Sequence, residues 1–171
     1  MTALQLATAY SAVANGGTLL EPRIYQEVKD AEGHARKWQT GAAVRRVISP
    51  ATADTLKRIL QGVVTRGTGQ DAALDGWTVA GKTGTAQKLD SATGSYSESK
   101  YVASFIGFAP ATHPRLTIVV IIDEPRGPEW GGYNAAPIFR NVASHALTYL
   151  GVPSDSPVQV AQKPLKAPRK T

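Results

Sequence analysis

Trp77-Thr78-Val79-Ala80-Gly81-Lys82-Thr83-Gly84-Thr85 decides how this chain is read. The stretch predicts a strand that ends in a lysine, two hydroxyls and a glycine. Side chains alternate along a strand, so Lys82 and Gly84 share one face, and Thr83 and Thr85 the other. Gly84 leaves room for a ligand backbone to lie along the strand. Lysine supplies a point charge and the threonines donate hydrogen bonds, so the string makes a compact site for a carboxylate. A solvated surface strand has the same residues, and the weight of the string therefore depends on its neighbours. Gly81-Lys82-Thr83 also imitates the end of a phosphate-binding loop. Gly76, five positions before Gly81, precedes an apolar strand rather than a strand-to-helix turn, which argues against a nucleotide site.

Tyr101 to Ala109 and Leu116 to Asp123 predict two more strands. A polar loop from Gln87 to Lys100, with turn residues Asp90, Ser91 and Gly94, joins the first pair, and the tight turn Pro110-Ala111-Thr112-His113-Pro114 joins the second. Such short connections imply an antiparallel meander. Leu116 to Asp123 is apolar at consecutive positions, so both its faces are expected to lie under helices. One helix is expected from Thr2 to Ala14, with Thr2 and Gln5 as a capping box and Asn15-Gly16-Gly17 as its stop. A second begins at Ser49-Pro50 and buries Leu56, Ile59, Leu60, Val63 and Val64. Thr65 to Gly76 reads as flexible. Arg23 to Val28 and Val44 to Ile48 are short strand candidates. A last helix is expected from Asn134 to Leu150, striped by Ile138, Val142, Ala146 and Leu150. The class is α+β: an antiparallel sheet, built as a three-strand meander plus short strands and covered by helices.

The chain has 171 residues, 42% of them hydrophobic, enough for one domain with a sizeable core. It has no cysteine, which removes disulfides and thiolate metal sites. The longest apolar run, near Ile118 to Ile122, is too short to span a bilayer, and no export signal opens the sequence. Net charge is +6, but Lys163, Lys166, Arg169 and Lys170 fall in a proline-interrupted tail and no nucleic-acid motif accompanies the rest. Nucleic acid is therefore not an expected partner. His34, His113 and His145 lack metal-ligand spacing, so neither a metal nor a cofactor is expected. The predicted organisation is a domain over residues 1–152 and a disordered Pro/Lys-rich tail over 153–171.

The K-T-G string belongs to serine β-lactamases and penicillin-binding proteins, and its context resembles the division-type class B penicillin-binding proteins. The resemblance rests on Thr2-Ala3-Leu4-Gln5-Leu6-Ala7 through Ala14-Asn15-Gly16-Gly17 and on Phe105-Ile106-Gly107-Phe108-Ala109-Pro110 with Pro114-Arg115. It continues in Ile121-Ile122-Asp123-Glu124-Pro125 and in Gly131-Gly132 followed by Ala135-Ala136-Pro137-Ile138-Phe139. These segments stand in the family's order and cover nearly the whole chain up to Gly151. The resemblance implies the C-terminal part of the penicillin-binding, β-lactamase-like transpeptidase fold. It gives Lys82 the role of shaping a positive cleft, Thr83 and Thr85 that of holding the carboxylate of a D-Ala-D-Ala stem peptide or a β-lactam, and Gly84 a substrate-binding place between them. The backbone N–H of Thr85 becomes half of an oxyanion hole. Trp130, Tyr96 and Tyr101 match aromatic positions beside the cleft. Glu129 departs from the pattern, standing where the family often has a second aromatic.

The implied reaction needs a serine activated by a lysine. One S-x-x-K string, Ser97-Glu98-Ser99-Lys100, follows the K-T-G strand rather than opening a buried helix before it, so Ser97 reads as a decoy. No S-x-N string occurs. The expectation is that nucleophile, lysine and second motif lie upstream of Met1 or in another chain, and that this chain alone is inactive and exposes Leu116–Asp123 as an aggregation-prone edge. The reading is thus part of a peptidoglycan D,D-transpeptidase that cross-links stem peptides in septal wall synthesis, at the periplasmic face of the inner membrane, with cell-division proteins as partners by resemblance. The alternatives are a fragment of a serine β-lactamase or D,D-carboxypeptidase, and a truncated non-catalytic binding or scaffold domain.

Overall fold

The computed structural model describes residues 1–25, 27–37, 42–90, 94–126 and 131–156. Helix α1 (Ala3–Ala14) opens on the expected capping box: Thr2 Oγ1 accepts from Gln5 N at 3.2 Å and Gln5 Oε1 accepts from Thr2 N at 2.9 Å. The chain then reverses at Gly16 and Gly17, both with positive φ. A methyl group on Gly17 would overlap Ile48 O, so only glycine fits there.

Four short strands follow: β1 (Thr18–Leu20), β2 (Glu27–Lys29), β3 (Ala35–Lys37) and β4 (Ala43–Arg46). They form two antiparallel pairs, β1 with β4 and β2 with β3. The sequence predicts strands over 23–28 and 44–48; β2 and β4 overlap them, whereas β1 and β3 carry no alternating pattern that marks them. Helix α2 (Pro50–Arg66) begins as expected, with Ser49 Oγ accepting from Thr52 N at 3.1 Å. The segment read as flexible is instead a tight turn and a 3-10 turn (Gln70–Ala72) anchored by Ala72, which has no exposed surface.

The meander is as expected: β5 (Ala80–Leu89), β6 (Tyr96–Ala109) and β7 (Leu116–Asp123) pair antiparallel in the order β5-β6-β7. The first two strands run further than predicted. Pairing of Leu89 with Tyr96 turns most of the expected polar loop into a hairpin, since cross-strand bonds tolerate polar residues that face water. Helix α3 (Gly131–Tyr149) starts before the expected Asn134, with Gly131 close against Gly84 O of the sheet and Gly132 close against Thr68 O of the turn after α2.

Phe105, Phe139, Ala143 and Leu147 form the main core between the sheet and α3, with the Phe105 and Phe139 rings 4.8 Å apart in an edge-on pair. Leu116, Ile118, Val120 and Ile122 pack against that core. The opposite face of β7 is covered less than its apolar run predicts. Ser11 of α1 bonds Thr117, but Ile121 stays 45% exposed. The fold also continues past the predicted domain end. Trp77 Nε1 donates to Val152 O and Pro153 O, and the Thr78 N–H and hydroxyl donate to Asp155. Residues 153–156 are therefore docked, and the rest of the predicted tail lies outside the described residues. No helix among the described residues is long and apolar enough to cross a membrane.

Candidate functional site

Strand β5 occupies one edge of its sheet among the described residues, so its outer flank is available to a ligand backbone. Thr83 and Thr85 lie on the α3 side, opposite Phe105 and Ala103 in register. Lys82 and Gly84 lie on the other, and a methyl group on Gly84 would fall 2.5 Å from Ser104 Oγ. At a free edge the two faces are not separated. Lys82 folds around it, and its Nζ donates to Thr83 O at 3.0 Å and to Thr83 Oγ1 at 3.2 Å. The charge thus reaches the hydroxyl side of the strand.

Thr68 completes the hydroxyl group. Its Oγ1 is 2.8 Å from Thr83 Oγ1, across the turn that links α2 to the 3-10 turn. That turn is tight because it is made of glycines. A methyl on Gly67 would stand 2.9 Å from the Val63 backbone, and one on Gly69 would stand 3.1 Å from the Phe105 ring. Helix α3 closes the arrangement from above. Gly131 N–H donates to Thr85 Oγ1 at 3.3 Å, so a helix N-terminus, with its partial positive charge, faces the threonines.

Thr68, Thr83, Thr85, Gly132 and Tyr133 line one cavity of about 330 Å³, with Asp71 on its wall. Hydroxyls converge on it under a helix N-terminus, and Lys82 Nζ donates to Thr83 Oγ1, so the groups gathered here are hydrogen-bond donors suited to an anion. A larger cavity of about 470 Å³ lies between α2 and Trp77, but no ionisable side chain lines it. Volume alone does not select the site here; chemistry does.

Of the residues predicted for the site, Lys82, Thr83, Gly84 and Thr85 are brought together. Tyr96 is not. It is 69% exposed and pairs with Leu89 at the far end of the hairpin, on the order of 20 Å along the strand from Thr83. The hairpin's unexpected length carries it away. Tyr101 sits on the same face as Thr85 but is buried beside Gln87 and does not line the cavity. Trp130 and Glu129 lie outside the described residues. Thr68 was missed because its segment reads as flexible; the available signal was a threonine held between two glycines.

Ser97 stands in β6, where its hydroxyl accepts from the N–H groups of Ser99 and Lys100, far from any helix start. Asp123 and Glu124 act as a structural turn, both paired with Lys88 at 2.8 and 2.7 Å. Asp30, Glu32 and His34 do gather within 4.8 Å at the β2–β3 turn. All three are exposed, and Asp30 bonds His34 Nδ1 at 3.0 Å and the N–H groups of Glu32 and His34, which accounts for the cluster as a turn lock.

The family described as the penicillin binding protein transpeptidase domain matches residues 1–144. Stage V sporulation protein D of Bacillus subtilis is 42% identical over 154 residues, which are 89% of this chain and 24% of that protein. PbpB of Mycolicibacterium smegmatis is 40% identical over 162 residues, 90% of this chain and 25% of that one. The chain therefore spans about a quarter of the length of these relatives. Among solved structures, penicillin binding protein 3 from Mycobacterium tuberculosis, complexed with ampicillin, superposes with a TM-score of 0.82 at 35% identity, covering 92% of this chain and 37% of that one. The transpeptidase domain of Burkholderia pseudomallei penicillin-binding protein 3 gives 0.72 at 37% identity, covering 90% and 44%.

Proposed function

This chain belongs to the penicillin-binding protein transpeptidase domain family, and we propose that it forms the K-T-G wall of a serine D,D-transpeptidase that cross-links peptidoglycan stem peptides. The observation that carries the reading is the cavity in which Thr68, Thr83 and Thr85 meet under the N-terminus of α3, with Lys82 Nζ donating to Thr83 Oγ1. A D-Ala-D-Ala terminus, or a β-lactam that imitates it, places its carboxylate on the threonine hydroxyls while Lys82 keeps the cleft positive. The peptide backbone lies along the free edge of β5. The Thr85 N–H is the group we assign to the oxyanion that develops on the attacked carbonyl.

The covalent step needs a serine. The chain's one S-x-x-K string stands in β6 and it holds no S-x-N string. We therefore assign the acylated serine, its lysine and the second motif to polypeptide other than this chain. Attack by that serine on the penultimate carbonyl releases D-Ala and leaves an acyl-enzyme, which the amine of a second stem peptide then resolves. Septal wall synthesis, a periplasmic site at the inner membrane and division proteins as partners follow from the likeness to division-type relatives and belong to the proposal.

Intact-mass analysis after incubation with a fluorescent penicillin tests it. The chain alone is expected to carry no adduct. Adding a transpeptidase segment that bears S-x-x-K and S-x-N restores labelling on that segment, and Thr83→Ala in this chain then slows labelling by about tenfold or more. A stoichiometric adduct on this chain alone would place a reactive serine within it and overturn the assignment.

A further inference from the structure

We propose that Gly132 is a positioning residue of the carboxylate cavity: its missing side chain sets how closely Thr68 approaches Thr83. The inference rests on the reading of the cavity given above. A methyl group on Gly132 would stand 2.6 Å from Thr68 O and 3.8 Å from Thr83 Cγ2. The close neighbour is backbone, so no rotamer change relieves the overlap, and either the first turn of α3 or the turn that carries Thr68 must move.

Neither can move without altering the site. The turn is fixed from below: the N–H groups of Gly67 and Gly69 donate to Val63 O at 3.1 and 3.0 Å, and Gly69 lies against the fully buried ring of Phe105. A retreat of this turn lengthens the 2.8 Å contact between Thr68 and Thr83. Helix α3 is fixed from the sheet side: a methyl on Gly131 would stand 2.5 Å from Gly84 O, and its N–H holds Thr85 Oγ1. A retreat of the helix lengthens that bond instead. Whichever element yields, either Thr68 draws away from Thr83 or the N-terminus of α3 draws away from Thr85, and the donor set that meets the carboxylate is broken.

The substitution Gly132→Ala separates positioning from general stability, because alanine is the better helix former and the helix gains from it on propensity alone. Amide NMR titrations of the 171-residue chain with diacetyl-Lys-D-Ala-D-Ala, and with the same peptide ending in a carboxamide, read the preference for a charged terminus. The unsubstituted chain is expected to favour the carboxylate by about tenfold or more. Gly132→Ala should reduce that preference to near unity, as should Thr68→Ala. The double variant should lose nothing further, since one substitution acts through the other. Gly62→Ala, where a methyl would meet only the Arg66 side chain at 3.8 Å, is the helix-glycine control. A preference that survives Gly132→Ala but is lost in Thr83→Ala overturns the inference and leaves the cavity reading standing. Additive losses in the double variant also overturn it. A preference absent from the unsubstituted chain, or unaffected by Thr83→Ala, sinks the cavity reading itself and this inference with it.

Discussion

The β5–β6–β7 sheet and the two small sheets before it use much the same residue types, yet they are held in different ways. In β6 the run from Phe105 to Ala109 is buried, and every strand of the meander is long enough to keep register under α3. In β2 and β4 every residue is exposed, with Val28 at 50% and Val44 at 57%. A strand of three or four residues has one partner and no second layer, so its apolar side chains have nothing to pack on. Positional accuracy in this molecule is therefore unevenly distributed. The half that carries Lys82, Thr83 and Thr85 is the half whose strands are fixed on one face by a helix.

Core substitutions in the two halves give the widest separation. Phe105 has no exposed surface, packs on Phe139 and leaves no room for a methyl group on Gly81 and little for one on Gly69. Phe105→Ala is expected to lower stability by about 3–5 kcal/mol, whereas Val28→Ala should stay within about 0.5 kcal/mol. Urea unfolding followed by tryptophan fluorescence measures both. Comparable losses would show that the small sheets are as firmly packed as the meander, and the contrast would fail.

The same division explains what could be read from sequence. The capping box, Ser49-Pro50, the meander and the K-T-G string were legible because each depends on neighbours a few residues away or on a plain period. β1 and β3 were not, since three-residue strands show no period. The length of the β5–β6 hairpin was hidden by polar residues that a paired, solvated ladder accepts as readily as a loop, and this misplaced Tyr96. Thr68 was hidden for another reason. Its contact with Thr83 spans fifteen positions and depends on glycines that let three elements touch. Close backbone approach leaves little trace in a sequence beyond the glycines themselves.

The loosely built half has one tight point, and Gly17 sharpens the comparison. With φ at +101° and no room for a methyl beside Ile48 O, Gly17→Ala meets both a conformational penalty and an overlap with backbone. The expected loss is about 1–3 kcal/mol, well above that of its exposed neighbours. Gly16 also has a positive φ, but nothing lies within reach of an added methyl. Gly16→Ala should show the conformational cost alone and lose less. Equal losses would mean that conformation decides at both positions and that contact with Ile48 contributes nothing.

The smallest effect concerns how residues 152–156 are tied to the site-bearing half. Asp155 is partly buried, which raises its pKa, but hydrogen bonds from Thr112 and Thr78 outweigh that and hold its carboxyl below the usual range. A carboxyl whose pKa is lower in the folded than in the unfolded chain binds fewer protons when native. Its stabilisation is complete above the unfolded value of about 4 and is lost as pH falls through the folded one. Asp155→Asn should therefore cost about 1 kcal/mol at neutral pH, and the gap from the parent chain should narrow once pH drops below about 4. Asp54 provides the comparison. Its pKa is also lowered, by its hydrogen bond and attraction to Lys57, but it lies fully exposed on α2. Solvent screens such a pair, so Asp54→Asn should leave the urea midpoint unchanged at either pH. If the two substitutions behave alike, the hydrogen bonds from Thr78 and Thr112 do not tie Val152–Ser156 to the start of β5, and the docking of this segment must be attributed to the bonds of Trp77 to Val152 and Pro153 and of the Asp155 and Ser156 N–H groups to Gly76 O.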